Sequence, residues 1–227
     1  MGRALFITGG GSGLGAAVAR LAAGAGWRVG VAGRRIEPLR ALAAELPNTR
    51  AVPLDVTDAA AVARAIADFD PDALVCCAAV LGRGDVFDDL TPARFADVHA
   101  VNVGGTYNAC AAAMRHWHER QRTGDIVNVA SLGGIRGLQK FPGFAAYASS
   151  KHAIVGLTEA LALEGKAHGI RVNAVAPGTM RTPMAAELGL TPSTTPEAIA
   201  PTVAFLLDRE RSGPVSGSTV EVHCNDD

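Results

Sequence analysis

The sequence predicts an α/β fold: one doubly wound parallel sheet of about seven strands, with helices on both faces. Three observations predict it. Short apolar runs alternate with longer helical stretches along the whole chain. The short runs are apolar at consecutive positions, as strands covered on both faces must be. The first run feeds a glycine-rich turn that opens directly into a helix.

Each element has its own signal. Arg3–Thr8 (RALFIT) reads as a buried strand, and Gly13–Ala25 as a helix with Leu14, Val18 and Leu21 on one face. Arg28–Ala32 and Arg50–Leu54 are the second and third strands, followed by helices Ile36–Leu46 and Ala59–Ala67. Ala73–Cys77 is the fourth strand. A long helix then runs from Pro92 to about Arg120, with Thr91 as N-cap and Pro92 at the first helical position. Asp125–Ala130 is the fifth strand, Ala145–Ala167 a long helix and Ile170–Val175 the sixth strand. Pro196–Leu207 is a helix and Thr219–Val222 the last strand. The loops Val80–Asp89, Leu132–Phe144 and Pro183–Thr195 follow strand carboxyl ends, where open α/β sheets bind ligands.

Composition narrows the function classes. The 227 residues are expected to form one domain, 1–227, with 48% hydrophobic and 19% charged residues. Disorder is excluded on that balance. Lysine and arginine number 21 against 22 acidic residues, so nothing marks a nucleic-acid binder. The longest apolar run, Ala73–Leu81, is too short to span a bilayer, and Met1–Thr8 leaves no room for a signal peptide before the glycine turn. Cys76, Cys77, Cys110 and Cys224 form no CxxC pair, so no metal site is expected; they read as reduced thiols of a cytoplasmic protein.

The turn is Thr8-Gly9-Gly10-Gly11-Ser12-Gly13-Leu14-Gly15. Glycine lets a backbone approach a phosphate without a Cβ in the way, and the helix that follows aims its N-terminus there. Between a strand and a helix, in the first unit of an alternating chain, this points to a dinucleotide in a Rossmann-like fold. A second motif is Tyr147-Ala148-Ser149-Ser150-Lys151. Four residues apart on a helix, Tyr147 and Lys151 share a face. A phenol titrates near ~10, and a nearby ammonium favours its ionised form, making it usable as an acid or base. The chain has only Tyr107 and Tyr147, and only Lys140, Lys151 and Lys166, which singles the pair out.

These motifs resemble those of the short-chain dehydrogenase/reductase family, in the same order and over almost the whole chain. The resemblance implies hydride transfer, from the pro-S face, between a nicotinamide cofactor and a carbonyl or secondary alcohol. Gly9, Gly11, Ser12, Gly13, Leu14 and Gly15 would hold the pyrophosphate. Gly33 falls where the family's NAD enzymes carry Asp; with Arg34 and Arg35 following, NADP(H) is preferred and NAD(H) allowed. Asp55 and Val56 match the adenine-contacting position. Cys76-Cys77-Ala78-Ala79 stands where the family shows Asn-Asn-Ala-Gly, a departure that bears on cofactor affinity. Pro177, Gly178, Met180 and Thr182 match the turn beside the nicotinamide carboxamide.

The resemblance assigns catalysis to Asn102, Ser131, Tyr147 and Lys151. Ser131 would polarise the substrate carbonyl, although an ungapped count back from Tyr147 lands near Gly134. Asn102 would mark a helix kink and hold a water towards Lys151. Leu81, Leu132, Gly133, Phe141, Phe144, Met180, Met184 and Leu188 would line an apolar pocket suited to a hydrophobic or cyclic ketone, behind a short substrate loop at about 183–195. Arg136 and Lys140 stand where an anionic group could meet them. The family also implies a homo-oligomer, tetramer or dimer, through the long helices near 92–120 and 145–167, the second with a stripe of Ile154, Leu157 and Leu161. Two other readings stand beside this one: a non-catalytic NAD(P)-binding regulator, and a sugar-nucleotide epimerase or dehydratase, for which the chain lacks the usual C-terminal lobe.

Overall fold

In the computed structural model, residues 2–224 are described; Met1 and 225–227 lie outside the described residues. Strands β1 (Ala4–Thr8), β2 (Arg28–Gly33) and β3 (Thr49–Pro53) are separated by helices α1 (Gly13–Gly24) and α2 (Ile36–Glu45). Helix α3 (Ala59–Phe69) leads to β4 (Ala73–Cys76), then α4 (Pro92–His99) and α5 (Gly105–Glu119). Strand β5 (Gly124–Val129), helix α6 (Ala145–Gly165), β6 (Ile170–Pro177), α7 (Pro183–Ala186), α8 (Pro196–Leu207), α9 (Arg209–Ser212) and β7 (Thr219–Val222) complete the order. All seven strands pair in parallel as β3-β2-β1-β4-β5-β6-β7. The order reverses at β1, so a crevice opens between the carboxyl ends of β1 and β4.

The strands are apolar on both faces because the sheet has a core on each side. Leu5 and Ile7 of β1 pack with Val18 of α1 and Val203 and Leu206 of α8. Ala4 and Phe6 point the other way, to Ile66 and Phe69 of α3, Trp117 of α5 and Leu161 of α6. The stripe of Ile154, Leu157 and Leu161 therefore serves the core, with Ile154 and Leu161 buried.

Several boundaries differ from the sequence reading. Strand β3 starts and ends one residue early, and β6 runs two residues further, to Pro177. Thr91 does cap α4, accepting from Arg94 N, with Pro92 in the first turn. The long helix is interrupted by one π-helical turn, Ala100–Gly104. Asn102 sits in it, buried, and its amide bonds the backbone of Val80 in both directions, Val80 N to Oδ1 at 2.8 Å and Nδ2 to Val80 O at 3.0 Å. The extra residue of the π turn carries this functional-looking contact, as such turns often do.

Helix α9 was not read from the sequence. It closes a charged clamp beneath the sheet. Asp125, with its side chain 3% exposed, pairs with Arg3 (2.8 Å), Arg171 (2.8 Å) and Arg209 (3.0 Å). Spare guanidinium donors reach carbonyls of Leu206, Leu207, Gly124 and Gly169, tying α8 and α9 to the sheet. This anchors the end of the molecule opposite the crevice.

Candidate active site

The crevice is a cleft of about 1250 Å³. It starts at the glycine turn. Gly9 has φ +67, and a Cβ there would stand 2.6 Å from Ala78 N, so the turn lies directly on the chain leaving β4. Only glycine combines that φ with that approach. Ser12 is the N-cap of α1 in an extended conformation, yet its side chain makes no capping bond, and no acidic residue sits in the first turn. The positive end of α1 therefore faces the cleft unneutralised, suited to an anion.

At one end of the cleft stand Gly33, Arg34, Arg35, Asp55 and Val56. A Cβ on Gly33 would meet nothing closer than 3.9 Å, so this position is open. Neither Arg34 nor Arg35 forms an ion pair or side-chain hydrogen bond with a described residue. The Asp55 carboxyl is held below its ordinary range by bonds from Thr57 N and Oγ1, and secondarily by the charge of Arg34. Pro38 and Leu39 also line this end, and sequence reasoning missed them.

Where the family pattern breaks, Cys77, Ala78 and Ala79 line the cleft while Cys76 is buried. Cys76 Sγ lies 3.9 Å from Cys110 Sγ; Cys110 bonds Asn128 Oδ1 at 3.3 Å, and Asn128 donates to Thr158 Oγ1 at 3.0 Å. A polar chain thus links β4, α5, β5 and α6 without an asparagine on β4. Burial pushes the Cys77 thiol up to about 12.

The floor of the cleft carries Ser131, Tyr147 and Lys151. The Ser131 hydroxyl acts on the Tyr147 phenol, favouring its ionised form. Ser131 Oγ also accepts from Gly133 N at 3.1 Å. Gly134, the alternative from an ungapped count, packs on α6: a Cβ there would stand 2.6 Å from the backbone C and O of Lys151. No side chain fits at 134, whereas Ser131 lines the cleft with Tyr147. Lys151 is 4% exposed; its Nζ lies 5.6 Å from the Tyr147 ring centroid and donates to Val129 O at 2.7 Å. Burial lowers its pKa to about 8, opposed by Cys77 and Cys76. Burial also raises the Tyr147 phenol above its ordinary value, with the Ser131 hydroxyl opposing. The sequence reading expected the ammonium to lower the phenol; here desolvation is the larger effect, so the phenol is neutral at pH 7.

Asn102 does not line the cleft. Its Nδ2 donates to Ser150 Oγ at 3.0 Å, next to Lys151 in sequence, so it ties the π turn to α6 and to the loop after β4. Pro177, Gly178, Met180 and Thr182 do line it. Thr182 caps α7 by accepting from Ala185 N, leaving its hydroxyl proton for an acceptor in the cleft.

The substrate side is apolar. Leu81, Leu132, Gly133, Phe141, Phe144, Met180, Met184 and Leu188 all face it, as the loops suggested. Arg83 and His223 face the cleft too and were missed. Arg83 lies in a loop already marked as site-shaping, and a basic residue there was the available signal.

Comparison with known proteins follows the same lines. The short chain dehydrogenase family model matches residues 3–192. A 2-keto-3-deoxy-L-fuconate dehydrogenase from Xanthomonas campestris pv. campestris is 36% identical over 184 residues, spanning 80% of this chain and 60% of that protein's length. The short-chain reductase protein NovJ of Streptomyces niveus is 37% identical, spanning 96% of this chain and 91% of that one. A solved short chain dehydrogenase/reductase family protein superposes with TM-score 0.88 at 37% identity, covering 98% of this chain and 96% of that one. An actinorhodin polyketide ketoreductase solved with NADPH gives TM-score 0.88 at 30% identity and the same coverage.

Proposed function

The chain belongs to the short-chain dehydrogenase/reductase family, and from that premise we propose that it transfers hydride between NADP(H) and an apolar or cyclic ketone or secondary alcohol. One observation carries the reading: Tyr147, with Ser131 and with Lys151 one helical turn away, lies on the floor of a cleft that begins at the glycine turn.

The cleft fits a nicotinamide dinucleotide. The unneutralised N-terminus of α1, with Gly11, Ser12 and Gly13, would hold the pyrophosphate. Asp55 and Val56 would border the adenine. The open position at Gly33 and the unpaired Arg34 and Arg35 support a 2′-phosphate, which a guanidinium fork can grip. When bound, the nicotinamide supplies or accepts the hydride.

The chain's own residues manage the oxygen. In reduction, Ser131 donates a hydrogen bond to the substrate carbonyl and Tyr147 gives it a proton. A phenol kept neutral by burial is the form that reduction consumes. Lys151, whose pKa of about 8 keeps it mostly cationic at pH 7, stabilises the phenolate left behind. Asn102 acts as a positioning residue through Ser150 and Val80. Apolar walls exclude water from the reacting atoms.

We also propose a homo-oligomer through the outer faces of α5 and α6, where Tyr107 is 45% and Leu163 75% exposed. Sedimentation yielding only monomer would reject that. Among the described residues no helix is long and apolar enough to cross a membrane. The four thiols carry no disulfide, which supports a reducing, cytoplasmic setting for this reading.

The test is a panel of apolar and cyclic ketones, assayed by nicotinamide absorbance with NADPH and with NADH. Turnover favouring NADPH is expected. Tight cofactor binding with no turnover across the panel would instead support a non-catalytic regulator.

A further inference from the structure

We propose that Arg83 is a specificity-determining residue that selects substrates bearing an oxyanion, a carboxylate or phosphate, beyond an apolar stretch from the reacting carbonyl. The inference rests on the oxidoreductase reading above and narrows the substrate class of that same site.

Three basic residues occupy the two loops over the substrate side, and the structure gives them different fates. Lys140 Nζ donates to Ile135 O and Leu138 O, both at 2.6 Å, so it closes its own loop. Arg136 lies outside the cleft lining. Arg83 lines the cleft and forms no ion pair or side-chain hydrogen bond with any described residue.

Of the nearby carboxylates, Asp85, Asp88 and Asp89, none pairs with Arg83 and none lines the cleft; Asp85 and Asp89 are engaged elsewhere. Asp85 Oδ1 accepts from Phe87 N at 2.9 Å. Asp89 accepts from Asp85 N at 2.8 Å and pairs with Arg94 at 2.8 Å. The single acid among the described cleft-lining residues is Asp55, at the far end beside Arg34. His223, the other basic group outside the glycine-turn end and the floor, already stands 3.5 Å from Glu221. The apolar side of the cleft therefore carries an exposed, unmatched cation at its edge.

The loop that carries Arg83 is tied down beside it. Gly84 N donates to Gly143 O at 2.9 Å, joining the loop after β4 to the loop before α6. Gly143 has φ +78, and a Cβ there would stand 3.7 Å from Arg83 Cγ and 3.8 Å from its Nε. The arginine stem thus passes close to the Gly143 backbone. Arg83 is exposed at the cleft, where a planar guanidinium matches a carboxylate or phosphate in two parallel hydrogen bonds.

The test compares apolar ketones carrying a terminal carboxylate, or a terminal phosphate, with their neutral methyl esters. Wild type, Arg83→Leu, Arg83→Lys and Arg136→Leu are assayed with NADPH. The wild-type kcat/KM ratio of anion to ester is expected to exceed about tenfold for at least one anion, the range of a charge-assisted bond at a partly exposed site. Arg83→Leu should bring that ratio to about one, chiefly through KM; Arg83→Lys should restore part of it; Arg136→Leu should keep it. Whichever anion shows the larger ratio identifies the natural group. Turnover with equal ratios in wild type and Arg83→Leu overturns this proposal and leaves the oxidoreductase reading standing. No wild-type turnover of any ketone, anionic or neutral, overturns both.

Discussion

Lys151 is a cation that folding takes out of water, and removing its charge should change how stability depends on pH. Its pKa falls from 10.5 to about 8 on folding. Between those values the unfolded chain holds a proton that the folded chain has lost, so stability rises with pH across this window. A shift of this size corresponds to roughly 3 kcal/mol between the ends of the window. Tyr147 has the opposite sign, since a raised phenol costs stability once pH passes its unfolded value near ~10. The clean quantity is therefore the difference between wild type and Lys151→Met. That difference contains the lost bond to Val129 O as a constant offset, and its pH slope comes from Lys151 and its coupling to Cys77 and Cys76. Relative to wild type, the variant should be most stable near pH 7, with the gap closing as pH approaches 10. At about 2–4 °C per kcal/mol for a chain of this size, the change in Tm difference is on the order of 5–10 °C. Circular dichroism melts of the cofactor-free protein at four or five pH values suffice. Parallel pH curves for the two proteins would refute the buried-cation argument.

Three further outcomes follow from the geometry. Gly33→Asp places a carboxylate in open space beside Arg34, and the NADPH to NADH ratio of kcat/KM should fall by about tenfold or more; an unchanged ratio would remove the support for NADP. Asp125→Ala strands the buried Arg171, while Arg3 and Arg209 stay partly solvated, and should cost about 3 kcal/mol in urea unfolding; a loss under about 1 kcal/mol would show that the clamp is not integral. Gly134→Ala drives a Cβ into the Lys151 backbone and should cost roughly 1–3 kcal/mol and lower kcat, whereas Gly24→Ala, with nothing within 4 Å, should do neither.

What could be read from the sequence was whatever rests on local chemistry. The strands announce themselves because both faces of the sheet are covered, so even Leu5 and Phe6 on opposite faces are apolar. The glycine turn is legible because Gly9 has to accept both a positive φ and the Ala78 backbone, and only glycine can. The choice of Ser131 over Gly134 could be argued from strand ends, and packing of Gly134 against α6 gives its physical reason. Features that join distant segments were hidden. The kink at Asn102 was expected from the resemblance, but its bond to Val80 was not, nor was the clamp of arginines at 3, 171 and 209 converging on Asp125. The fates of Lys140 and Arg83 were equally invisible, since a loop cation turns inward or faces a ligand according to which carbonyls lie near it. Burial of Tyr147 and Lys151 together, which sets the direction of both pKa shifts, is likewise a property of the assembled floor.

The central claim is that the Tyr147 phenol gives its proton to a carbonyl during hydride transfer. The most direct measurement compares wild type with Tyr147→Phe, following NADPH oxidation on a turned-over ketone and NADPH binding in the same samples. The variant should lose at least about 10²–10⁴-fold in kcat, the range of positioned acid–base catalysis, while its NADPH Kd changes by no more than a few-fold. A variant that keeps a tenth or more of wild-type turnover would contradict the account.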